Sequence, residues 1–191
     1  MPLGYPDPPL GDELVSLRPW AETDLEAVIE ASRDPYIPKV TSVPAPYTKG
    51  AGERWLARQE DRSTSGVGVS LAIAQAATDE AVGMVVLMRR GRGLYGLGYW
   101  VLRAARRRGL ASRAVALVVP WALAQPDVAE LEALVEPWNE PSRRVVERAG
   151  FSRDRLLRNE ISVSGREADV MRYVLGGHSP RTGWNSRGQS E

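Results

Sequence analysis

The segment Arg106-Arg107-Arg108-Gly109-Leu110-Ala111 carries the residue types best suited to chemistry in this chain of 191 residues. It lies where an extended apolar run, Gly98-Tyr99-Trp100-Val101-Leu102, gives way to a helical one whose apolar face is Leu110, Ala114, Leu117, Val118 and Trp121. A chain that passes from strand to helix through a glycine leaves the first N–H groups of the helix unpaired, at the positive end of its dipole. A turn of that kind is a site for a phosphorylated ligand. The surrounding charge points the same way. No acidic residue occurs between Glu80 and Asp127, whereas Arg89, Arg90, Arg92, Arg103, Arg106, Arg107, Arg108 and Arg113 all lie there, in a protein of net charge +1. Solvated arginines are the usual explanation of a basic run; the coincidence with the turn favours an anion site.

Composition removes several other chemistries. Without cysteine there is no disulfide, iron–sulfur cluster, cysteine nucleophile or cysteine-bound zinc. The one histidine, His178, sits in a polar stretch near the end, so neither a Ser-His-Asp triad nor a multi-histidine site is expected, and no metal. Gly91-Arg92-Gly93-Leu94-Tyr95-Gly96 spells G-x-G-x-x-G, but it leads into a strand and no acid follows before Asp127. It therefore reads as a hairpin turn rather than a dinucleotide fingerprint. There is no signal peptide and no apolar run of membrane-spanning length, so a cytoplasmic protein without a membrane partner is expected.

The elements that must position the turn can be read in order. With 43% hydrophobic residues, one domain around one core is expected. Residues 1–12, rich in proline and glycine, read as a flexible arm, and Glu13 to Arg18 as a strand. A helix opens at Trp20-Ala21-Glu22-Thr23-Asp24, carries Leu25, Val28 and Ile29 on its apolar face, and stops at Asp34-Pro35. Pro38, Pro44 and Pro46 predict a connection without regular structure from Tyr36 to Tyr47, of the sort that shapes a substrate pocket. A second helix follows from about Lys49 to Arg62, anchored by Trp55 and Leu56.

Gly66 to Ala76, Ala81 to Arg90 and Leu94 to Leu102 read as three strands, followed by the helix entered at Gly109, which Pro120 should kink or end. Glu130 to Glu136 is a strand. Asn139 caps a fourth helix with Ser142, Val145, Val146 and Ala149 on one face, and Gly150 is its left-handed stop. Phe151 to Val163 and Arg166 to Leu175 form a hairpin around Ser164-Gly165, and residues 177–191 read as a disordered tail. The order β-α-α-β-β-β-α-β-α-β-β makes an α+β (mixed α/β) protein: a central mixed, mostly antiparallel sheet flanked by about four helices. Only the strands joined by the Gly109 helix have a crossover long enough to be parallel.

Arg106 to Ala111 has the form Arg-x-x-Gly-x-Ala and resembles the acyl-CoA pyrophosphate loop of the GNAT N-acetyltransferases. The block Asn139-Glu140-Pro141-Ser142-Arg143-Arg144-Val145-Val146-Glu147-Arg148-Ala149-Gly150-Phe151 resembles the Asn-x-x-Ser-x-Arg-Val-x-Glu-Lys-x-Gly-Phe segment of the RimJ/RimL-like branch, the ribosomal-protein N-acetyltransferases and their relatives. Leu17-Arg18-Pro19-Trp20, Leu157-Arg158-Asn159, and Gly165-Arg166 followed by Asp169-Val170 are similar to the same branch. The resemblance covers roughly residues 13–175, implies one GNAT domain over residues 13–176, and shares the element order of that fold.

The resemblance implies acetyl-CoA as cosubstrate and a primary amine as acceptor, either a peptide N-terminus or a small molecule. On it, backbone groups of Val101 and Leu102 bond the pantetheine arm like an added strand. Arg106, Arg107, Arg108, Gly109, Leu110 and Ala111 hold the pyrophosphate, chiefly through the N–H groups from Arg107 to Ala111, and Arg103, Arg113 or Arg144 adds a phosphate contact. Asn139 bonds the arm near the thioester while capping its helix. For the chemistry, Leu94 to Leu102 carries no carboxylate where many superfamily members keep a glutamate, and Val146 stands where others carry a tyrosine. Ser142 is left as proton donor, or else as a first-turn hydroxyl bonded to backbone. The base is a water chain ending at Glu136 or Asp34. Positioning of the reactants and backbone oxyanion donors would supply most of the catalysis.

Two rival readings stand beside this one. A GNAT-shaped protein that binds acyl-CoA without turnover would also lack the glutamate and tyrosine. An Arg-rich nucleic-acid binder would lose affinity steeply with salt; without interleaved aromatics or a nucleic-acid motif, no nucleic-acid partner is expected. Homodimers are common in the resembled branch, which makes a homodimer the expected assembly.

Overall fold

The computed structural model describes residues 3–162 and 164–176. Its strands are β1 (Leu10–Gly11), β2 (Val15–Arg18), β3 (Gly68–Gln75), β4 (Ala81–Arg89), β5 (Leu94–Val101), β6 (Glu130–Val135), β7 (Ser152–Ile161) and β8 (Glu167–Gly176). They form one sheet in the order β1-β2-β3-β4-β5-β6-β8-β7. All neighbours are antiparallel except β5 and β6. The helices are α1 (Leu25–Ser32), α2 (Ile37–Val40), α3 (Lys49–Thr64), α4 (Leu110–Leu123) and α5 (Glu140–Arg148). The α+β, mostly antiparallel architecture and its one parallel crossover through α4 are as the element order implies.

Helices cover both faces, which is why the central strands read as nearly continuous apolar runs rather than alternating ones. On one face Leu71, Ile73, Val85, Leu87 and Val101 pack against Leu110, Ala114, Val115 and Val118 of α4. On the other, Ala72, Met84, Trp100 and Leu102 meet Ala27, Val28 and Ala31 of α1, Ile37 of α2 and Trp55 of α3. Trp20 sets its ring at 86° to Trp55, 4.8 Å away, an edge-to-face contact that closes this second layer.

The two central strands that matter most do not stay together. The parallel pairing of β5 and β6 covers Leu94–Gly96 against Glu130–Glu132, after which β5 continues to Val101 against β4 alone. Meanwhile β6 keeps β8 as its partner from Glu130 to Val135. The sheet therefore opens between β5 and β6 at the end where β5 runs into α4.

Three expectations are corrected. The first is the loose arm: its described part, residues 3–12, lies on the sheet. Leu10 and Gly11 pair with Leu17 and Ser16, and Leu3 is buried in the α4-side core at 3% exposure. Proline and glycine there set a path along an edge strand that has no other partner to cover it. The second is the connection after α1, which contains the one-turn helix α2; Pro38 sits in its first turn, where no N–H is required. The third is α4, which runs through Pro120 to Leu123, so the proline falls in its last turn and removes only one internal bond. The expected disordered tail, 177–191, lies outside the described residues.

If the N-terminal segment is held as described, Leu3→Ala behaves as a core truncation. It should cost about 2–5 kcal/mol in urea unfolding and lower the melting temperature by several degrees. A loose arm would give no change.

Candidate active site

The turn into α4 is built as an anion cradle. After a 3-10 turn at Arg103–Ala105, Arg106 is extended (φ −66°, ψ 160°), Arg107 is left-handed (φ 63°) and Gly109 is left-handed (φ 79°). A non-glycine residue with positive φ is strained, and changes of hand between neighbouring residues aim successive N–H groups into one concavity. The first bond of α4 runs from Arg113 N–H to Gly109 C=O at 3.0 Å, so Leu110, Ala111 and Ser112 have no acceptor within the helix. A Cβ at Gly109 would meet nothing within 4 Å, so the space before the cradle is open.

The arginines beside it do different work. Arg106 turns back into the protein: its Nε donates to Val101 C=O at 3.0 Å and its Nη2 pairs with Asp34 at 2.6 Å. Arg108 donates to Gln75 Oε1 at 3.0 Å, and Arg113 pairs with Asp12 at 2.8 Å. Arg144 pairs with Glu140 on the exposed side of α5. Among the described residues, the Arg103 and Arg107 side chains have no partner. Of the side chains expected around the phosphates, those two are free to reach an anion and Arg106 is not.

The gap between β5 and β6 begins beside this turn. Leu102 gives its N–H to Val82 C=O and takes that of Ala105, so both its backbone groups are spent. The backbone groups of Leu102 expected to face a ligand are therefore already engaged within the protein. By alternation Trp100 also faces β4, while the backbone groups of Tyr99 and Val101 face the side that β6 has left. The Val101 C=O is taken by Arg106, leaving its N–H.

The N-terminus of α5 stands at the far side of the gap. Asn139 caps the helix as expected, its Oδ1 accepting Ser142 N–H at 3.2 Å. The Ser142 hydroxyl is bonded to Tyr99, a residue that no motif singles out: the Tyr99 hydroxyl is 2.7 Å from Ser142 Oγ and 2.9 Å from Ser142 C=O. Burial pushes Tyr99 up to about 12, so it keeps its proton at neutral pH. When that proton goes to Ser142 Oγ, the serine proton is free to point into the gap. Tyr36, from the proline-rich connection, lies near the same group; burial raises its pKa and the Asn139 amide opposes the rise. Val146, at the position of the family tyrosine, is fully buried in the core.

Neither carboxylate expected as a base is free. Glu136, 5% exposed, is clamped by Arg166 and accepts the indole N–H of Trp138. Asp34 accepts the N–H groups of Tyr36 and Ile37 at 2.8 and 3.0 Å besides holding Arg106. Burial alone would raise the Asp34 carboxyl, but those two N–H groups and the guanidinium outweigh it and hold it below the usual carboxylate range.

On the α1–α3 side of the sheet a cleft of about 520 Å³ runs from Tyr99, Asn139 and Ser142 past Gly96 and Gly98. Two successive positions of β5 on this face are glycine, and that is what leaves the floor open. A Cβ at Gly98 would already lie 3.1 Å from Val86 Cγ1. The roof is tied down where Ser162 and Ser164 of the β7–β8 hairpin donate to Lys39 C=O beside α2. Glu132, Glu136 and Glu160 line the cleft, and the first two are paired with Arg172 and Arg166. Glu160, half-buried, has no cationic partner among the described residues. It lies 18 positions beyond Ser142 in a strand that is mostly exposed, so no local pattern marks it. Among the described residues no group of three or more His, Asp or Glu is placed to hold a metal, and no helix is long and apolar enough to cross a membrane.

A family model described as an acetyltransferase (GNAT) domain matches residues 15–152. The chain is 26% identical over 166 residues to the uncharacterized N-acetyltransferase p20 of Bacillus licheniformis, covering 85% of this chain and 93% of that one. Among solved structures, a ribosomal-protein-S5-alanine acetyltransferase from Vibrio fischeri superposes with a TM-score of 0.74 at 15% identity, covering 88% of this chain and 96% of that chain. RimJ of Mycobacterium smegmatis, in complex with CoA-disulfide, gives 0.72 at 22% identity, covering 88% and 85%. At those identities the two structures speak to the fold.

Because the Asp34 pKa is lowered on folding, the carboxylate adds stability above its unfolded value of about 3.9 and loses it as pH falls further. Asp34→Asn should therefore cost roughly 1 kcal/mol at pH 7, a modest figure because solvent reaches Arg106 and screens the pair. The difference should shrink when unfolding is repeated near pH 3; a constant difference would mean that the charge is not what Asp34 contributes.

Proposed function

The chain belongs to the GNAT acetyltransferase family, and from that premise we propose that it moves the acetyl group of acetyl-CoA directly to a primary amine within a ternary complex. The observation that carries this reading is the parting of β5 from β6, with the cradle at Gly109 on one side, Tyr99, Asn139 and Ser142 at the gap, and the glycine-floored cleft beyond.

The residues fit the cosubstrate. Tyr99 and Val101 offer backbone groups to the pantetheine arm where β6 is absent, and the N–H groups from Arg107 to Ala111 meet the pyrophosphate, with Arg107 and Arg103 in reach. Charge-assisted hydrogen bonds of this type are worth roughly 1.5–3 kcal/mol each, so a few support micromolar binding. The acceptor enters from the cleft. Its nitrogen forms a bond to the thioester carbonyl carbon, the carbon–sulfur bond breaks, and the electron pair leaves on sulfur. Ser142 Oγ, held by Tyr99, gives that sulfur its proton. The amine proton goes to Glu160, the cleft carboxylate without a cationic partner among the described residues, and returns through water to Ser142 Oγ, which restores both groups. Glu136, clamped by Arg166 and Trp138, orders the mouth of the cleft rather than taking a proton. A protein amine is the first acceptor class to try, since a similarly folded protein is named a ribosomal-protein-S5-alanine acetyltransferase. An α-amino group, with pKa about 7.7–8.0, is also partly neutral without help.

Calorimetry with acetyl-CoA should give micromolar binding, lost in Gly109→Asp, which sets a carboxylate in the open space before the cradle. Thermal melting separates this loss from unfolding. Absence of binding in the parent protein would remove the reading.

Glu160→Gln and Ser142→Ala should each lower kcat by about 10²-fold or more with little change in KM for acetyl-CoA. The Glu160 effect should be larger for lysine-like amines than for α-amines. Unaltered kcat in either variant would withdraw that residue's role.

A further inference from the structure

We propose that the acceptor is an acidic amine, whose carboxylate or phosphate is held by Arg62 and Arg90 at the end of the cleft away from Ser142. The proposal rests on the transfer reading above and adds the class of acceptor.

Arg62 is the observation from which it starts. It stands in the last turn of α3, half-buried, and lines the cleft. One of its nitrogens donates to Gln59 Oε1 and the other lies 3.5 Å from Ser42 Oγ. Both partners are neutral, and no carboxylate pairs with it among the described residues. Gln59 is itself fully buried and anchored through Nε2 to Trp55 C=O at 2.6 Å, so the guanidinium is held from behind by a fixed group. Of the other sheltered arginines, Arg143 donates to the Tyr173 hydroxyl and to Pro137 C=O, and three are met by carboxylates. Arg18 meets Asp24, Arg166 meets Glu136, and Arg172 is surrounded by Glu130, Glu132 and Asp154. Burial pulls the Arg62 pKa down, with Arg58 one turn away adding to it, as befits a cation short of counter-charge. A sheltered cation in that position is costly until an anion arrives.

Arg90 supplies the second guanidinium. It follows β4 and folds over Gly96, where a Cβ would lie 2.8 Å from its Nε. It too has no anionic partner among the described residues. With Glu132 and Glu136 neutralised by Arg172 and Arg166, the unpaired charges of the cleft among the described residues are Glu160 against Arg62 and Arg90. That polarity suits an acceptor with an amine and an anion on one chain. Two guanidinium forks match the planar or tetrahedral oxygens of carboxylate or phosphate.

The geometry also fixes a length. Gly96 is three residues along β5 from Tyr99, roughly 10 Å at the rise of a strand. An extended peptide spans the same distance in about three residues. An acidic side chain at about the third position of a peptide would reach the arginines while its N-terminus lies at Ser142.

The test uses the full chain, acetyl-CoA and four matched peptide amides: Ala-Ala-Glu-Ala, its phosphoserine counterpart, Ala-Ala-Gln-Ala and Ala-Ala-Lys-Ala. The expected kcat/KM is about tenfold or more higher for the acidic peptides than for the glutamine one, mostly through KM, and lowest for lysine. Preference for phosphoserine alone would assign the subsite to phosphate. The acidic-to-neutral ratio should fall toward one in Arg62→Ala, be kept in part by Arg62→Lys, and fall partway in Arg90→Ala. As a ratio within one protein it is insensitive to partial unfolding. Equal rates for the glutamate, phosphoserine and glutamine peptides, or a ratio that survives Arg62→Ala, would overturn the proposal. Binding of the same peptides by calorimetry with CoA present decides it independently of chemistry. Absence of turnover with every peptide would count against transfer, whereas equal binding would count against the acidic acceptor.

Discussion

The structure depends on a sheet that is left unfinished at its centre. β5 is held by β4 along its whole length, and β6 by β8, but β5 and β6 share only three residue pairs. Backbone donors and acceptors that are sheltered and unpaired are expensive, so a gap of this kind must be answered by something. The protein answers part of it itself. Arg106 takes the Val101 carbonyl, and the N-terminus of α5 comes close enough for Tyr99 to bond Ser142. What remains is an edge of strand with donors facing outward beside a helix N-terminus, two features that favour an extended ligand ending in a phosphate.

The same strand decides what lies on its other face. A β-strand sends alternate residues to opposite sides, so the residues of β5 that face α1 and α3 are Leu94, Gly96, Gly98 and Trp100. Trp100 fills the core and the two glycines leave a trough beside it. Side chains that would have packed there are replaced by a roof drawn from far along the chain, the connection around α2 and the β7–β8 hairpin, tied through Lys39 C=O. The gap at the edge of β5 and the trough on its face are therefore made by the same eight residues. Arg106, reaching from the cradle to Asp34 at the end of α1, fixes the position of that connection relative to the turn.

Sequence revealed the features whose cause is local. The Gly109 turn, the Asn139 cap, the Gly150 stop at φ 92° and the glycine turn at 91–93 each follow from a residue type at one position in one element. It was silent on features made by distant segments. Tyr99 meets Ser142 across 43 residues, Arg106 meets Asp34 across 72, and Arg113 meets Asp12 across 101. Nothing in a run of arginines tells which will be turned inward by a carboxylate elsewhere. The N-terminal segment failed for a related reason: proline and glycine describe a chain that makes no helix, but whether it lies free or along an edge strand depends on what the edge exposes.

The arginine-rich stretch shows how position sorts chemically identical residues. Read linearly it is one block of eight charges with no acid, a natural footprint for a polyanion. Folded, it is two clusters, at the β4–β5 turn and beyond the end of β5, separated by an eight-residue strand, roughly 26 Å. Within the second cluster Arg106 and Arg113 are neutralised by Asp34 and Asp12 and Arg108 is bonded to Gln75. Among the described residues no carboxylate pairs with Arg103, Arg107 or Arg108 at the turn into α4, nor with Arg89, Arg90 or Arg92 at the β4–β5 turn, and of these six Arg90 lines the cleft, with Arg62 from α3. A continuous stripe following a phosphate backbone would need the intervening strand to present charge, and it presents leucine, tyrosine, glycine and tryptophan. Two groups of charge at opposite ends of one apolar strand do not make the continuous footprint of a polyanion.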